Sequence, residues 1–291
     1  LIHDWSRRRD VKTRAHTFCL LSLVTFVQPV VAGEDTVLGD STVQSRPNLI
    51  TSFLRDHGDI WSSPFRMDVD DAILWGGVLA TTAVLIATDE PVYRHFRDLK
   101  DESSFIHNAS PAFSQLGEFY LPIGIAGVYC LGGLAFDNQH TLDTGLLGLQ
   151  AMMHAGIVVQ VFKHLFGRTR PFVRNGEDVW YGPRVAFKRY QSGFSAYDAF
   201  PSGHTITAFS LATVIAERSD AFWVDATAYS LAGLCGLSRL TERDHWLSDV
   251  FMGAALGISI GKLVVKNHER RLEVVPAFGA RSTGISLRFT Y

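Results

Sequence analysis

Two histidines in this 291-residue chain stand where an imidazole could do chemical work. His245 has Asp249 four residues after it and Arg239 six residues before it, within the stretch Ser238–Asp249. If the segment from His245 onward is helical, that step puts His245 and Asp249 on one face, one turn apart. A carboxylate so placed accepts one imidazole N–H, fixes the tautomer and leaves the other ring nitrogen free to react. His204 follows Pro201-Ser202-Gly203 at the head of an apolar run. Ser202 is a good N-cap and Gly203 allows close backbone approach. The free N–H groups of a helix start form an anion site.

A third group supplies positive charge. Lys163 and Arg170 lie seven residues apart, two helical turns, so both can point toward one site if the helix holds. Arg170-Pro171 is read as the stop of that helix, because the residue before proline is pushed out of the α region. With Arg239, these residues make three fixed cations, and the arginine fork suits phosphate oxygens bidentately. A metal held by His204, His245, Asp244 or Asp249 would have to sit beside all three cations, so no metal ligand set is read here. Together the residues describe a site for a tetrahedral oxyanion.

Helices must carry these groups. Apolar runs span Ala72–Thr88, Phe119–Phe136, Gly145–Phe162, Thr205–Ala216, Ala221–Leu237 and Val250–Ile260, too long for ordinary strands. They predict an all-α bundle of about six core helices, with a short helix before them near Leu49–His57. Lys163 to Arg170 ends the third run and Ser202–His204 begins the fourth. Ser238-Arg239 ends the fifth and His245 begins the sixth. In an up-down bundle those four ends share one face.

The flanks differ from the bundle. Arg7, Arg8, Arg9, Lys12 and Arg14 precede an apolar run from Phe18 to Val31 that closes Val30-Val31-Ala32. This pattern predicts an export signal over residues 1–32, or an uncleaved anchor helix. Residues 33–70 are polar and mixed, 71–267 hold the helical domain, and in the tail 268–291 Gly284–Tyr291 alternates apolar with polar residues and can pair with Glu273–Phe278, predicting a C-terminal β-hairpin. A net charge of −2 does not suggest a nucleic-acid binder. Cys19, Cys130 and Cys235 each sit in an apolar run and form no disulfide framework.

A spanning helix needs about 20 apolar residues, with ~17 as a floor. The second and third runs qualify, the first is marginal, and the fourth and sixth are short for it. Mean hydropathy is only +0.11. Two arrangements stay open: an integral membrane bundle, or an exported bundle packed on the membrane or free in the periplasm.

Lys163-x6-Arg170-Pro171, Pro201-Ser202-Gly203-His204 and Ser238-Arg239-x5-His245-x3-Asp249, in this order, resemble the three-part signature of the type 2 phosphatidic acid phosphatase superfamily. The resemblance covers residues 163–249. It implies a helical bundle of that family's kind and a metal-independent phosphatase that uses no cofactor. It assigns His245 as nucleophile through a phosphohistidine, oriented by Asp249, with His204 as general acid and then general base. Lys163, Arg170, Ser202, Gly203 and Arg239 would bind the phosphate oxygens. The implied substrate is a lipid phosphate, such as phosphatidic acid, a phosphatidylglycerol phosphate or an isoprenyl pyrophosphate. The alternatives are a small phosphate ester handled by an exported acid phosphatase of broad specificity, a vanadate-dependent haloperoxidase and a non-catalytic anion-binding protein. The implied location is a bacterial-type cell envelope, with the site on the periplasmic side and a loop between Arg170 and Ser202, carrying Trp180, Tyr181, Tyr190 and Tyr197, over it.

Overall fold

Eight α-helices make up the fold among the described residues of the computed structural model, which are 49–173, 176–183, 196–279 and 282–287. They are α1 (Leu49–Ser62), α2 (Val69–Glu102), α3 (Ser104–Ser114), α4 (Tyr120–Ala135), α5 (Gln139–Phe166), α6 (Gly203–Glu217), α7 (Phe222–Thr241) and α8 (Leu247–Glu273). The expected export segment and residues 33–48 lie outside the described residues. The six expected runs correspond to α2, α4, α5, α6, α7 and α8, so the all-α bundle is present. Helix α3 was not expected, and α2 continues well past Thr88 to Glu102. Beyond α8, Val274–Gly279 (β1) pairs antiparallel with Ser282–Leu287 (β2), Val274 opposite Leu287 and Phe278 opposite Thr283. The helix thus runs six residues past the boundary expected at 267.

Short polar side chains start the helices. Asp68 accepts from the Asp71 N–H at 2.8 Å, Ser103 from Ile106 at 3.4 Å and Asn138 from Thr141 at 3.0 Å. Each satisfies a donor that the first turn leaves without a partner. Helix α5 ends earlier than the Arg170-Pro171 reading placed it. Gly167 takes a left-handed conformation (φ 55°) and its N–H returns to the Lys163 carbonyl at 3.1 Å, the usual glycine C-cap.

Helix α6 is the axis of the bundle. Thr205, Ile206, Ala208, Leu211, Ala212 and Val214 are all buried on it. Close approach of α8 is set by Gly253, Gly257 and Gly261, spaced at four residues. A Cβ at these positions would fall 2.9 Å from the Ser202 carbonyl oxygen, 2.7 Å from that of Ile206 and 2.7 Å from Thr213 Cβ. Small residues at this spacing let two helix backbones meet. On the far side of the bundle axis, α1 is held to α5 and α8 by polar contacts. Asn267 donates to Asp56 at 2.8 Å and to Asp59 at 3.0 Å, Gln150 donates to Asp56, and His57 Nδ1 lies 3.3 Å from His154 Nδ1.

Helices α2, α5 and α8 are each long and apolar enough to cross a membrane, and α3 with α4 forms a further pair bent by 55°. The sixth run therefore does not stay short: α8 continues through Lys262 and Asn267, isolated polar residues that the apolar count treated as an end. The second run reaches that length only together with α3. Outward-facing Val69, Ile73, Leu74, Leu79 and Val84 on α2, and Val128, Leu131 and Leu134 on α4, are exposed. A water-facing surface rarely carries apolar patches that large.

Candidate active site

The end of α5, the start of α6, the end of α7 and the start of α8 meet at one end of the bundle, and the loops between them carry most of the polar side chains. His245 lies in the α7–α8 connection, two residues before the helix, rather than on the helix itself. Its Nδ1 donates to the Ala199 carbonyl at 2.8 Å, while Asp249 Oδ2 is 3.6 Å from the same nitrogen. The direct hydrogen bond expected from the four-residue spacing is therefore not made. The Ala199 carbonyl fixes the tautomer, and Asp249 sits at ion-pair distance. Nε2 of His245 is buried with no hydrogen-bond partner among the described residues. Burial, reinforced by the Arg170 and Lys163 charges, holds the imidazole well below its ordinary pKa, so it is neutral and can act as a nucleophile.

Asp249 instead closes the start of α8. As the third helical residue it accepts the Trp246 N–H at 2.8 Å, the returning half of a capping box. Its other oxygen accepts from Arg168 Nη1 at 2.6 Å. Arg168 is fully buried and binds two further carboxylates, Asp89 of α2 at 2.6 Å and Asp178 at 2.8 Å, with its guanidinium 4.5 Å from the Trp180 ring centre. Ser248 joins the group through its N–H, 3.0 Å from Asp89. This hub ties α2, the loop after α5 and the start of α8 together. Sequence reasoning passed over Arg168 although it stands between Lys163 and Pro171, because two of its three acidic partners, Asp89 and Asp249, are far away in the chain. Trp180, on the loop expected over the site, packs against Arg168 and Phe200. Tyr181 and Tyr197 stack edge to face with ring centres 5.3 Å apart, and Tyr190 lies outside the described residues.

The three expected cations do converge, and two carboxylates join them. Lys163 Nζ donates to Asp198 at 3.4 Å and Arg170 Nε donates to the same residue at 2.8 Å. Arg170 Nη1 lies 3.5 Å from Asp244, to which Arg239 Nη1 donates at 3.2 Å. Arg170 thus links two carboxylate bridges, and it does so from the loop, since α5 has ended four residues before it. Burial alone would raise the Asp244 pKa, but Arg170 and Arg239 hold it below the usual carboxylate range. Arg239 also donates to Ser114 at the end of α3, and its Nε is buried without a partner among the described residues.

Ser202 is the N-cap of α6: its oxygen accepts from the Thr205 N–H at 3.4 Å and from the Thr205 hydroxyl at 2.9 Å. A Cβ added to Gly203 would sit 3.5 Å from Lys163 Nζ, so the lysine passes over bare backbone at the helix start. His204 Nε2 lies 3.3 Å from Glu118 Oε1. Burial lowers the His204 pKa, Glu118 opposes that shift, and Arg239 adds to it. Gly117 packs so tightly on His204 that a Cβ would come 2.6 Å from the histidine Cβ. Ser114, Glu118 and Asp198 had no motif to reveal them. Among the described residues, no group of three or more His, Cys, Asp or Glu side chains could hold a metal ion.

A buried histidine lies beside a cluster of arginine and lysine at one end of the helical bundle, and Lys163 through Asp249 fall within one matched region of the chain. Residues 145–273 match the PAP2 superfamily. Among curated proteins, the lipid A 1-phosphatase of Porphyromonas gingivalis is 39% identical over 82 residues. That match covers 28% of this chain and only 18% of the relative's length. Among solved structures, Aquifex aeolicus LpxE is similar at a TM-score of 0.48 with 22% identity, over 62% of this chain and 95% of that one. The transmembrane PAP2 type phosphatidylglycerolphosphate phosphatase of Bacillus subtilis is similar at 0.49 with 19% identity, over 76% of this chain and 94% of that one.

Proposed function

We infer that the protein is a metal-independent phosphatase that removes a phosphate group from a lipid in a bacterial envelope membrane. The observation that carries this reading is the pairing of an unpartnered, buried His245 Nε2 with Lys163, Arg170 and Arg239 around one space. Nε2 attacks phosphorus, a P–N bond forms as the P–O bond to the lipid breaks, and the leaving oxygen takes a proton from His204. Water, deprotonated by His204, then cleaves the phosphohistidine and releases phosphate. The three cations, the Ser202 hydroxyl and the Gly203 N–H stabilise the equatorial oxygens in both steps. These cations take the part that Mg²⁺ plays in other phosphoryl transfers. Asp249 acts at ion-pair distance, favouring the imidazolium-like charge that develops on His245, and it holds the α8 start in place.

Membrane residence is supported by the three long apolar helices and the exposed apolar faces of α2 and α4. The name of the Porphyromonas relative adds a glycolipid phosphate to the candidate substrates beside phosphatidic acid, a phosphatidylglycerol phosphate and an isoprenyl pyrophosphate. An exported N-terminal segment leaves the site on the periplasmic side only where some of these helices do not cross the membrane, and the pairing of β1 and β2 is then a hairpin appended to the domain. The test is release of inorganic phosphate from a lipid phosphate in detergent, in the presence of EDTA. Loss of activity in EDTA with recovery on adding Mg²⁺ would overturn the reading, as would full activity in His245→Ala.

A further inference from the structure

Each candidate histidine has a carboxylate at ion-pair distance. For His245 it is Asp249, 3.6 Å from Nδ1, and for His204 it is Glu118, whose Oε1 lies 3.3 Å from Nε2. The first pair stands within one short motif. The second joins two separate parts of the chain, and the break between α3 and α4 is what brings them together. After Ser114, residues Gln115–Gly117 make a single 3₁₀ turn, and α4 leaves it at 55° to the preceding segment. A Cβ at Gly117 would fall 2.6 Å from His204 Cβ, 2.6 Å from Cys235 Sγ and 2.8 Å from the His204 carbonyl oxygen, so glycine is needed for the turn to close on the start of α6. Glu118 follows in an extended conformation (ψ 133°), and its backbone is held on both sides. Its N–H donates to the Gln115 carbonyl at 3.0 Å, and its carbonyl accepts from the Leu121 N–H at 3.1 Å. A backbone fixed in this way delivers the carboxylate to one place, beside the imidazole.

The chemistry calls for such a group. His204 has to hold a proton before a leaving oxygen can take it, yet most of its surroundings favour the neutral ring. Burial, Arg239 and Arg170 all work against the charged form, and His245 is a second titratable ring nearby. Cys235 packs at the same turn, and Asp244 is already bridged to Arg170 at 3.5 Å and to Arg239 at 3.2 Å. Glu118 is the carboxylate that meets the His204 ring, and its side chain keeps 35% exposure, so water solvates it. Nε2 of His204 makes no hydrogen bond among the described residues, so its N–H stays open to a leaving oxygen while the carboxylate stands at ion-pair distance. We propose that Glu118 is a positioning residue for the reaction, holding His204 oriented and protonated so that the ring acts as general acid. The proposal rests on the phosphatase reading above. The proton passes from His204 Nε2 to the leaving oxygen as the P–O bond breaks, and the neutral ring then accepts a proton from water in the second step. Glu118 stays ionised throughout and exchanges no proton.

The test compares octyl phosphate, whose alkoxide leaves only with a proton, with p-nitrophenyl phosphate, whose phenolate leaves without one. Both are assayed in one detergent, using the full chain and the variants Glu118→Gln and Glu118→Asp. Glu118→Gln is expected to lower kcat/KM for octyl phosphate about tenfold more than for p-nitrophenyl phosphate. With octyl phosphate, the limb at high pH, where His204 loses its proton, should move to lower pH by about one unit. Glu118→Asp keeps the charge and should return that limb most of the way to its parent position. Equal losses on the two esters, or a high-pH limb that does not move in Glu118→Gln, would overturn the proposal, because a merely structural role predicts both. Histidine NMR gives a reading independent of turnover. With ¹³C at the ring Cε1, the His204 signal, identified by its loss in His204→Gln, should titrate at lower pH in Glu118→Gln than in the parent. An unchanged midpoint would overturn the assignment of Glu118. Failure of the parent protein to hydrolyse either ester would instead count against the phosphatase reading, leaving the NMR midpoint to judge the contact between Glu118 and His204.

Discussion

His245 Nδ1 donates to the carbonyl oxygen of Ala199 at 2.8 Å, which leaves Nε2 as the nitrogen available for attack. Ala199 precedes the Phe200–His204 stretch, so the chain that carries the candidate general acid also sets the tautomer of the candidate nucleophile. His245→Ala should therefore lower kcat by about 10³-fold or more and abolish labelling of the protein by a radioactive phosphate donor. Retained labelling at another residue would show that the nucleophile lies elsewhere.

Asp249→Asn should slow turnover by about two orders of magnitude with little change in KM. The substitution removes the negative charge 3.6 Å from His245 Nδ1 and weakens the contact with Arg168, but it leaves in place the Asp249 carbonyl that accepts from the Ser202 N–H at 3.0 Å. A large rise in KM at constant kcat would place Asp249 in binding instead.

Arg168 separates stability from chemistry. Arg168→Met leaves Asp89, Asp178 and Asp249 without their shared cation, and breaking a buried pair in this way costs about 3–5 kcal/mol. Thermal unfolding in detergent should fall sharply for this variant. Lys163→Ala, by contrast, removes one weaker contact to Asp198 and should change KM far more than the melting temperature.

The pH profile carries a sign. His245 must be neutral to attack, and its pKa lies well below the ordinary value because of burial and then the Arg170 and Lys163 charges. The acid limb of kcat/KM belonging to this group should therefore fall below about pH 6.5, the unperturbed histidine value. Removing a neighbouring positive charge raises the imidazole pKa, so Lys163→Met should move that limb to higher pH. A limb that stays fixed would mean that another group governs it.

Asp198 and the substrate phosphate compete for the same donors. With Asp198→Asn, Lys163 and Arg170 lose a charged partner at 3.4 and 2.8 Å, and inorganic phosphate should inhibit about fivefold more tightly or better. Measuring the inhibition constant against a soluble ester checks this, and weaker inhibition would show that Asp198 positions the cations instead of occupying them.

The residues of the candidate site were legible in the chain: Lys163, Arg170, Ser202, Gly203, His204, Arg239, His245 and Asp249 all come together at one end of the bundle. So was the helical class, because apolar periodicity and N-cap chemistry are local signals that need no knowledge of the partner. Even the convergence of four helix ends followed from their order. The tertiary structure alone decided what those residues touch. Ala199 rather than Asp249 bonds His245, Asp198 and Asp244 bridge the cations, and Ser114 and Glu118 arrive from a helix break that no motif marks. Asp89 reaches Arg168 across 79 positions of sequence, and Ser114 reaches Arg239 across 125. Such contacts depend on how helices pack side by side, which is set by small residues such as Gly117 and Gly253 and by the volume left between faces. A spacing rule can place two residues on one helix face. It cannot say which distant carboxylate fills the space opposite them.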